Sequence, residues 1–111
     1  MSLAIRCTME PLRTLASGSI SGTYTAVGTP FVHPIRILWI QNTTNAQVTF
    51  SLDGVNDHFI LPAGGYVIVD VSSNKDATSY ELYLPIGTQI YVMGTVSSGA
   101  VYISTFYGVQ P

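Results

Sequence analysis

Apolar and polar residues alternate one by one along much of the 111-residue chain, which is the two-residue period of a half-buried strand. In 47–52, Val48, Phe50 and Leu52 share one face while Gln47, Thr49 and Ser51 share the other. Asp53-Gly54 follows as a hairpin turn, since both residue types tolerate positive φ. Similar runs, rich in β-branched and aromatic residues, cover 23–27, 35–41, 58–61, 66–71, 80–84, 89–96 and 100–107. Turn signals such as Gly28-Thr29-Pro30, Pro62-Ala63-Gly64-Gly65 and Ser97-Ser98-Gly99 separate them at the spacing of a sandwich or barrel. No ten-residue window free of Gly and Pro keeps helical spacing. Eight candidate strands therefore predict an all-β fold, an antiparallel two-sheet β-sandwich wound as an eight-stranded jelly roll. Residues 20–111 form that single domain. Residues 1–19 precede it as an extended N-terminal arm, where Leu3, Ile5, Met9, Leu12 and Leu15 are apolar without a period and Pro11 interrupts.

The alternation also assigns faces. Ile35-Arg36-Ile37-Leu38-Trp39-Ile40 is apolar on both sides, as in a central strand covered twice, so Trp39 is expected buried. Residues 66–71 resemble it, with Val67, Val69 and Val71 on one side and Tyr66, Ile68 and Asp70 on the other. Ile90, Val92, Val101 and Ile103 face the core, which turns Tyr91, Met93, Tyr102 and Phe106 outward; Tyr83 follows the same rule. An outer sheet face carrying Tyr83, Tyr91, Tyr102 and Phe106 is a large apolar patch. Aromatic residues of this kind concentrate at the centres of protein interfaces. The alternatives are scattered surface tyrosines or a thicker core. With the arm's Leu3, Ile5 and Leu12, which would clamp on a neighbour, these residues make up the candidate interface.

Composition sharpens this expectation. Charged residues are 9% of the chain against about a quarter in ordinary domains, while 47% are hydrophobic, including seven Tyr and four Phe. Such a chain has ample surface to bury and little charge to keep it monomeric, so a homo-oligomer is expected. The four basic residues, Arg6, Arg13, Arg36 and Lys75, are too scattered to track phosphates, and the net charge is −2, which argues against nucleic acid. No stretch approaches the roughly 18 apolar residues of a membrane span, and Met1–Glu10 lacks the pattern of a signal peptide. Cys7 stands alone, so an internal disulfide is impossible, and packing is its expected role.

Catalytic signals are weak. His33, before Pro34, reads as an edge or turn residue in extended geometry. His58 could join Asp53, Asp57 or Asp70 in a metal or acid–base cluster, but no His-x-His spacing or carboxylate-rich loop supports it. Asp53-Gly54-Val55-Asn56-Asp57 opens like a calcium loop yet lacks the later glycine and glutamate, so a hairpin explains it better. Leu61-Pro62-Ala63-Gly64-Gly65 is a turn without the helix a phosphate loop needs, and no nucleophile elbow occurs. Asn42-Thr43-Thr44 matches a glycosylation sequon and reads as a turn. The expectation is a non-enzyme with no catalytic residues, metal or cofactor.

The stretch from Ile37-Leu38-Trp39-Ile40-Gln41-Asn42 through Val48-Thr49-Phe50-Ser51-Leu52-Asp53-Gly54, and the ending Ala100-Val101-Tyr102-Ile103-Ser104-Thr105-Phe106-Tyr107-Gly108, carry a family resemblance. Over residues 20–108 the chain resembles the small jelly-roll virion structural proteins of tailed bacteriophages. The resemblance implies a structural role in a virion assembled in the host bacterial cytoplasm, with the major capsid protein or other virion proteins as partners. A capsid decoration (cement) protein comes first, then a head–tail connector or tail ring subunit. A carbohydrate-binding sandwich of a tail spike or fibre is the rival of another class, with Trp39 and the tyrosines stacking on sugars; the expected burial of Trp39 counts against it. A cupin-like enzyme comes last, for want of a histidine-rich ligand set.

Overall fold

The alternation becomes two inward-facing surfaces. The computed structural model describes residues 6–71 and 84–109. Among these, nine strands run in the order β1 (Arg6–Met9), β2 (Arg13–Ala16), β3 (Thr25–Ala26), β4 (Ile37–Asn42), β5 (Val48–Ser51), β6 (Phe59–Leu61), β7 (Tyr66–Asp70), β8 (Tyr91–Met93) and β9 (Ala100–Val109). A single 3-10 turn, Ser17–Ser19, follows β2, and there is no α-helix among the described residues. One sheet has the order β1-β9-β4-β7, with β2 also paired to β9; the other is β3-β8-β5-β6. Every pairing is antiparallel. The chain is an antiparallel two-sheet β-sandwich.

Between the sheets lie Leu38 and Ile40 from β4, Val48 and Phe50 from β5, Val92 from β8, and Val101 and Ile103 from β9. Phe50 stacks on Phe59 with ring centroids 5.0 Å apart. Asn42, also fully buried, is satisfied: its Nδ2 donates to the carbonyls of Ala46, Leu61 and Pro62, and its Oδ1 accepts from Thr44 N and Oγ1. It fixes the crossing from one sheet to the other, and the sequon it heads has no accessible amide to modify. Gly99, at φ +86°, lies so close to the Thr43 carbonyl that a Cβ would sit 2.1 Å from its oxygen, so the turn into β9 requires glycine.

Seven of the eight expected runs hold a strand, within the run or a residue or two beyond, and β9 continues to Val109. The run 89–96 forms only the short β8 and 23–27 only the two-residue β3. Of 80–84, residues 80–83 lie outside the described residues, and Leu84 bridges Ile35. The strand count among the described residues is nine because residues 6–9 and 13–16 of the expected arm pair with β9 and complete the five-stranded sheet. Its apolar residues lack a period because Glu10-Pro11-Leu12 interrupts the ladder between two short strands.

Candidate functional site

The outer face of the five-stranded sheet is built from residues of odd parity to the core. In register, Tyr102, Gln41 and Tyr66 form one row, Ser104, Trp39 and Ile68 the next, and Phe106, Ile37 and Asp70 a third, with Met9 beyond Phe106. With strands about 4.8 Å apart, the backbones bearing Tyr102 and Tyr66 are separated by roughly 10 Å. Tyr66 is 65% exposed, Ile68 56%, Met9 48% and Trp39 36%, while Ile37, Tyr102 and Phe106 are half-buried. Among the described residues no element packs over this face. Trp39 is therefore exposed, against the expectation of burial. A doubly apolar run has two explanations, a second covering layer or an open apolar face, and periodicity alone does not separate them.

The candidate interface residues do not all come together. Tyr102 and Phe106 belong to this face, with Met9 beside Phe106. Tyr91 and Met93 also point outward, but from β8 in the other sheet, in register with Ser51 and Thr49, so the single face predicted to hold Tyr91 with Tyr102 is divided between opposite sides of the sandwich. The Tyr91 ring covers Gly54, where an added Cβ would lie 3.4 Å from it. Leu12 is exposed at the break between β1 and β2. Tyr83, Leu3 and Ile5 lie outside the described residues.

The cluster that the sequence did not reveal sits at that break. Met9 pairs with Phe106 but Arg13 with Ile103, so four residues on one strand span three on the other, a β-bulge of one extra residue. In an uninterrupted strand Glu10 and Arg13 would point to opposite faces. The bulge turns both inward, where Arg13 Nη2 donates to Glu10 Oε1 at 2.7 Å with both side chains almost wholly buried. Glu10 Oε2 accepts from the amides of Val32 (3.0 Å) and His33 (2.8 Å) and from His33 Nδ1 (2.6 Å). Arg13 also donates through Nε to the Thr29 carbonyl and through Nη2 to that of Pro30, and its guanidinium lies 5.2 Å from the Phe31 ring centre. Gly28 gives room for this stem, because a Cβ there would fall 2.7 Å from Arg13 Cγ. His33 stacks flat on Tyr107 with centroids 3.6 Å apart. It lies in a bend, as the turn reading expected, and closes one wall of an open cleft of about 590 Å³ rimmed by Met9, Leu12 and Val32.

Burial by itself would raise the Glu10 carboxyl. The hydrogen bonds from His33, Arg13 and the Val32 amide, with the guanidinium charge, outweigh it and hold the group below the ordinary carboxylate range. Both Glu10 oxygens are engaged and every Arg13 side-chain nitrogen makes a hydrogen bond, Nη1 to Thr105 Oγ1, so the cluster fastens loop 28–34 to the sheet edge.

The loop after β5 is likewise self-satisfied. Asp53 Oδ1 accepts from the amides of Asn56 and Val55 and from Ser51 Oγ, Oδ2 accepts from Asn56 Nδ2, and these bonds hold its carboxyl well below the usual range. His58 Nδ1 accepts from the Leu52 amide, closing the same loop. Tyr24 Oη donates to Asp57; desolvation, this bond and the charges of Asp57 and Asp53 push its hydroxyl up to about 12. Among the described residues no three His, Cys, Asp or Glu side chains are grouped to hold a metal. Cys7, expected to pack, is exposed on β1.

Compared with protein-family models, curated proteins and solved structures, the chain matches none.

Proposed function

We propose that this chain is a non-enzymatic structural subunit that docks onto other proteins of a larger assembly through the outer face of its five-stranded sheet. The observation that carries the reading is the exposed patch of Trp39, Ile68 and Tyr66 over two adjacent rows, flanked by Tyr102 and Phe106, on a chain with few charges. Such a face suits an interface centre, where large rigid aromatics exclude water. The resemblance of residues 20–108 supplies the setting: a tailed-phage virion, with capsid decoration ahead of a head–tail or tail ring position, and jelly-roll winding as the finer form of the sandwich. Trp39 is the one tryptophan of the chain, so its emission reports on this face alone. Adding the purified chain to head shells of the phage that encodes it should carry it into the pellet on sedimentation and shift Trp39 emission to the blue. A chain that stays in the supernatant with unchanged emission overturns the decoration reading.

A second reading gains from the same tryptophan. The argument against a carbohydrate-binding sandwich was burial of Trp39, and Trp39 is exposed beside Tyr66 and Tyr102, with the Gln41 amide between the two tyrosines. Aromatic faces next to an amide suit the apolar and hydroxyl sides of a neutral sugar. Saturable quenching of Trp39 by a soluble polysaccharide, without binding to head shells, would favour this reading over the first.

A further inference from the structure

We propose that two copies of this chain pair antiparallel along β1 about a two-fold axis perpendicular to the sheet, joining their five-stranded sheets edge to edge. The inference concerns the sheet edge and does not rest on the docking face described above.

β1 is the least supported element of the fold. All four of its residues, Arg6, Cys7, Thr8 and Met9, are exposed, so no side-chain burial offsets the entropy lost in ordering them. β4 reaches only to Phe106, so among the described residues Tyr107–Val109 pair with β1 alone, and this end of the sheet is a two-stranded ribbon. A ribbon of two strands is marginal in water. The molecule measures 53 × 23 × 21 Å, and its 15.3 Å radius of gyration exceeds the roughly 13 Å of a compact chain this long.

The open backbone groups follow from the ladder. The Glu10 amide donates to the Thr105 carbonyl, so by antiparallel alternation Thr8 and Arg6 also spend their backbone groups on β9. Cys7 and Met9 then present their N–H and C=O to the outer edge. Four unpaired groups in a row form a template for another strand, and natural edges are blunted by lysine, proline or a bulge. Within Arg6–Met9 the one such device is the charge of Arg6 at the strand's end; the bulge and Pro11 begin only after it.

The charge pattern points to a second copy. Arg6, the one charged residue of β1, stands at the strand's end. Antiparallel self-pairing centred on Thr8 sends the two arginines to opposite ends of the seam, and centred on Cys7 it leaves them diagonal, whereas parallel pairing would stack them directly. A perpendicular two-fold axis keeps outer face with outer face, which requires it to pass through a residue, Cys7 or Thr8. Centred on Thr8, Cys7 of each copy meets Met9 of the other and all four open groups on each strand are used. Centred on Cys7, the two Cys7 residues exchange both hydrogen bonds. In either register the two Cys7 side chains lie on one face, opposite or diagonal at about 7–8 Å or less.

The test combines sedimentation equilibrium of the full chain with a bis-maleimide of about 8 Å reach, matched to that diagonal. A dimer trapped covalently through Cys7 is expected. Met9→Pro removes an N–H that only the second strand would use, and edge strands tolerate proline there. It should weaken dimerisation at least tenfold and abolish the cross-link while keeping the melting transition. Cys7→Lys, at an exposed position, brings like charges together at the seam and should give a monomer by sedimentation, which keeps the test open if Met9→Pro does not fold. Trp39→Ser with Tyr66→Ser should dimerise and cross-link as the unaltered chain does. A chain that sediments as a monomer at high micromolar concentration and yields no covalent dimer overturns the proposal. So does a dimer that survives Cys7→Lys, or one lost in the Trp39/Tyr66 variant and kept in Met9→Pro.

Discussion

Glu10 and Arg13 meet at 2.7 Å inside the sandwich although they stand three residues apart on one strand edge, a spacing that would send them to opposite faces without the bulge. Their energetics follow from burial. Removing one partner strands the other charge away from water, which typically costs about 3–5 kcal/mol. Glu10→Ala should therefore lower the melting temperature by on the order of 10–20 °C, or unfold the chain outright. Replacing both residues with leucine should recover much of that loss, since apolar pairs of similar volume often match buried ion pairs. Thermal melts of the single and double variants check this; a double variant as unstable as Glu10→Ala would refute the charge argument.

Acid should loosen the fold in a window set by the same carboxylates. Glu10 and Asp53 are both held below their ordinary values in the folded chain. A depressed group contributes stability fully above its unfolded value, near pH 4, and loses it as pH falls toward the folded value. Urea midpoints should hold steady from about pH 7 to 5 and decline below about 4. Asp53→Asn should lower the neutral midpoint and flatten the acid slope. A slope unchanged by this substitution would remove Asp53 from the account.

Tyr24 works with the opposite sign. Its hydroxyl is raised to about 12, so the hydrogen bond to Asp57 contributes below the unfolded value near 10 and is lost as pH rises toward 12. Tyr24→Phe should leave the acid side unchanged and remove part of the alkaline decline. Denaturation midpoints from pH 8 to 12 for the two chains provide the comparison.

Deleting residues 1–16 should abolish the cooperative thermal transition. β1 and β2 cover one side of β9, and Glu10 and Arg13 carry loop 28–34 with them. The sequence was a poor guide here for a physical reason. Core strands such as β5 and β9 announce themselves because one face is mainly apolar, whereas β1 buries nothing and β2 turns an arginine inward. A bulge shifts parity within one chain, and nothing in Glu10-Pro11-Leu12 reveals that two charged residues share a face. Trp39 was misplaced for a related reason: alternation gives parity, not what lies beyond the sheet. Parity itself held, since Tyr102 and Phe106 are outward where Val101 and Ile103 are buried, yet which sheet each strand joins was hidden, and so Tyr91 fell on the opposite side.

Replacing Trp39 and Tyr66 together with serine should damage association more than folding. Both stand on the outer face, and Tyr66 in particular gives little surface to the core. Their loss should therefore cost the fold no more than about 1–2 kcal/mol. Phe50→Ala is the contrast, because its ring is fully buried and its truncation should cost roughly 3–5 kcal/mol. At an interface centre each aromatic is worth about 2 kcal/mol or more, so losing both would weaken docking by on the order of a thousandfold if the effects add. The paired measurement is a thermal melt and a binding isotherm on head shells, with Tyr66→Ser alone keeping Trp39 as the fluorescent reporter. A double variant that melts normally and binds as tightly as the unaltered chain would free this face of any docking role, and the second sheet, where Tyr91 and Met93 point outward, would be the next to alter.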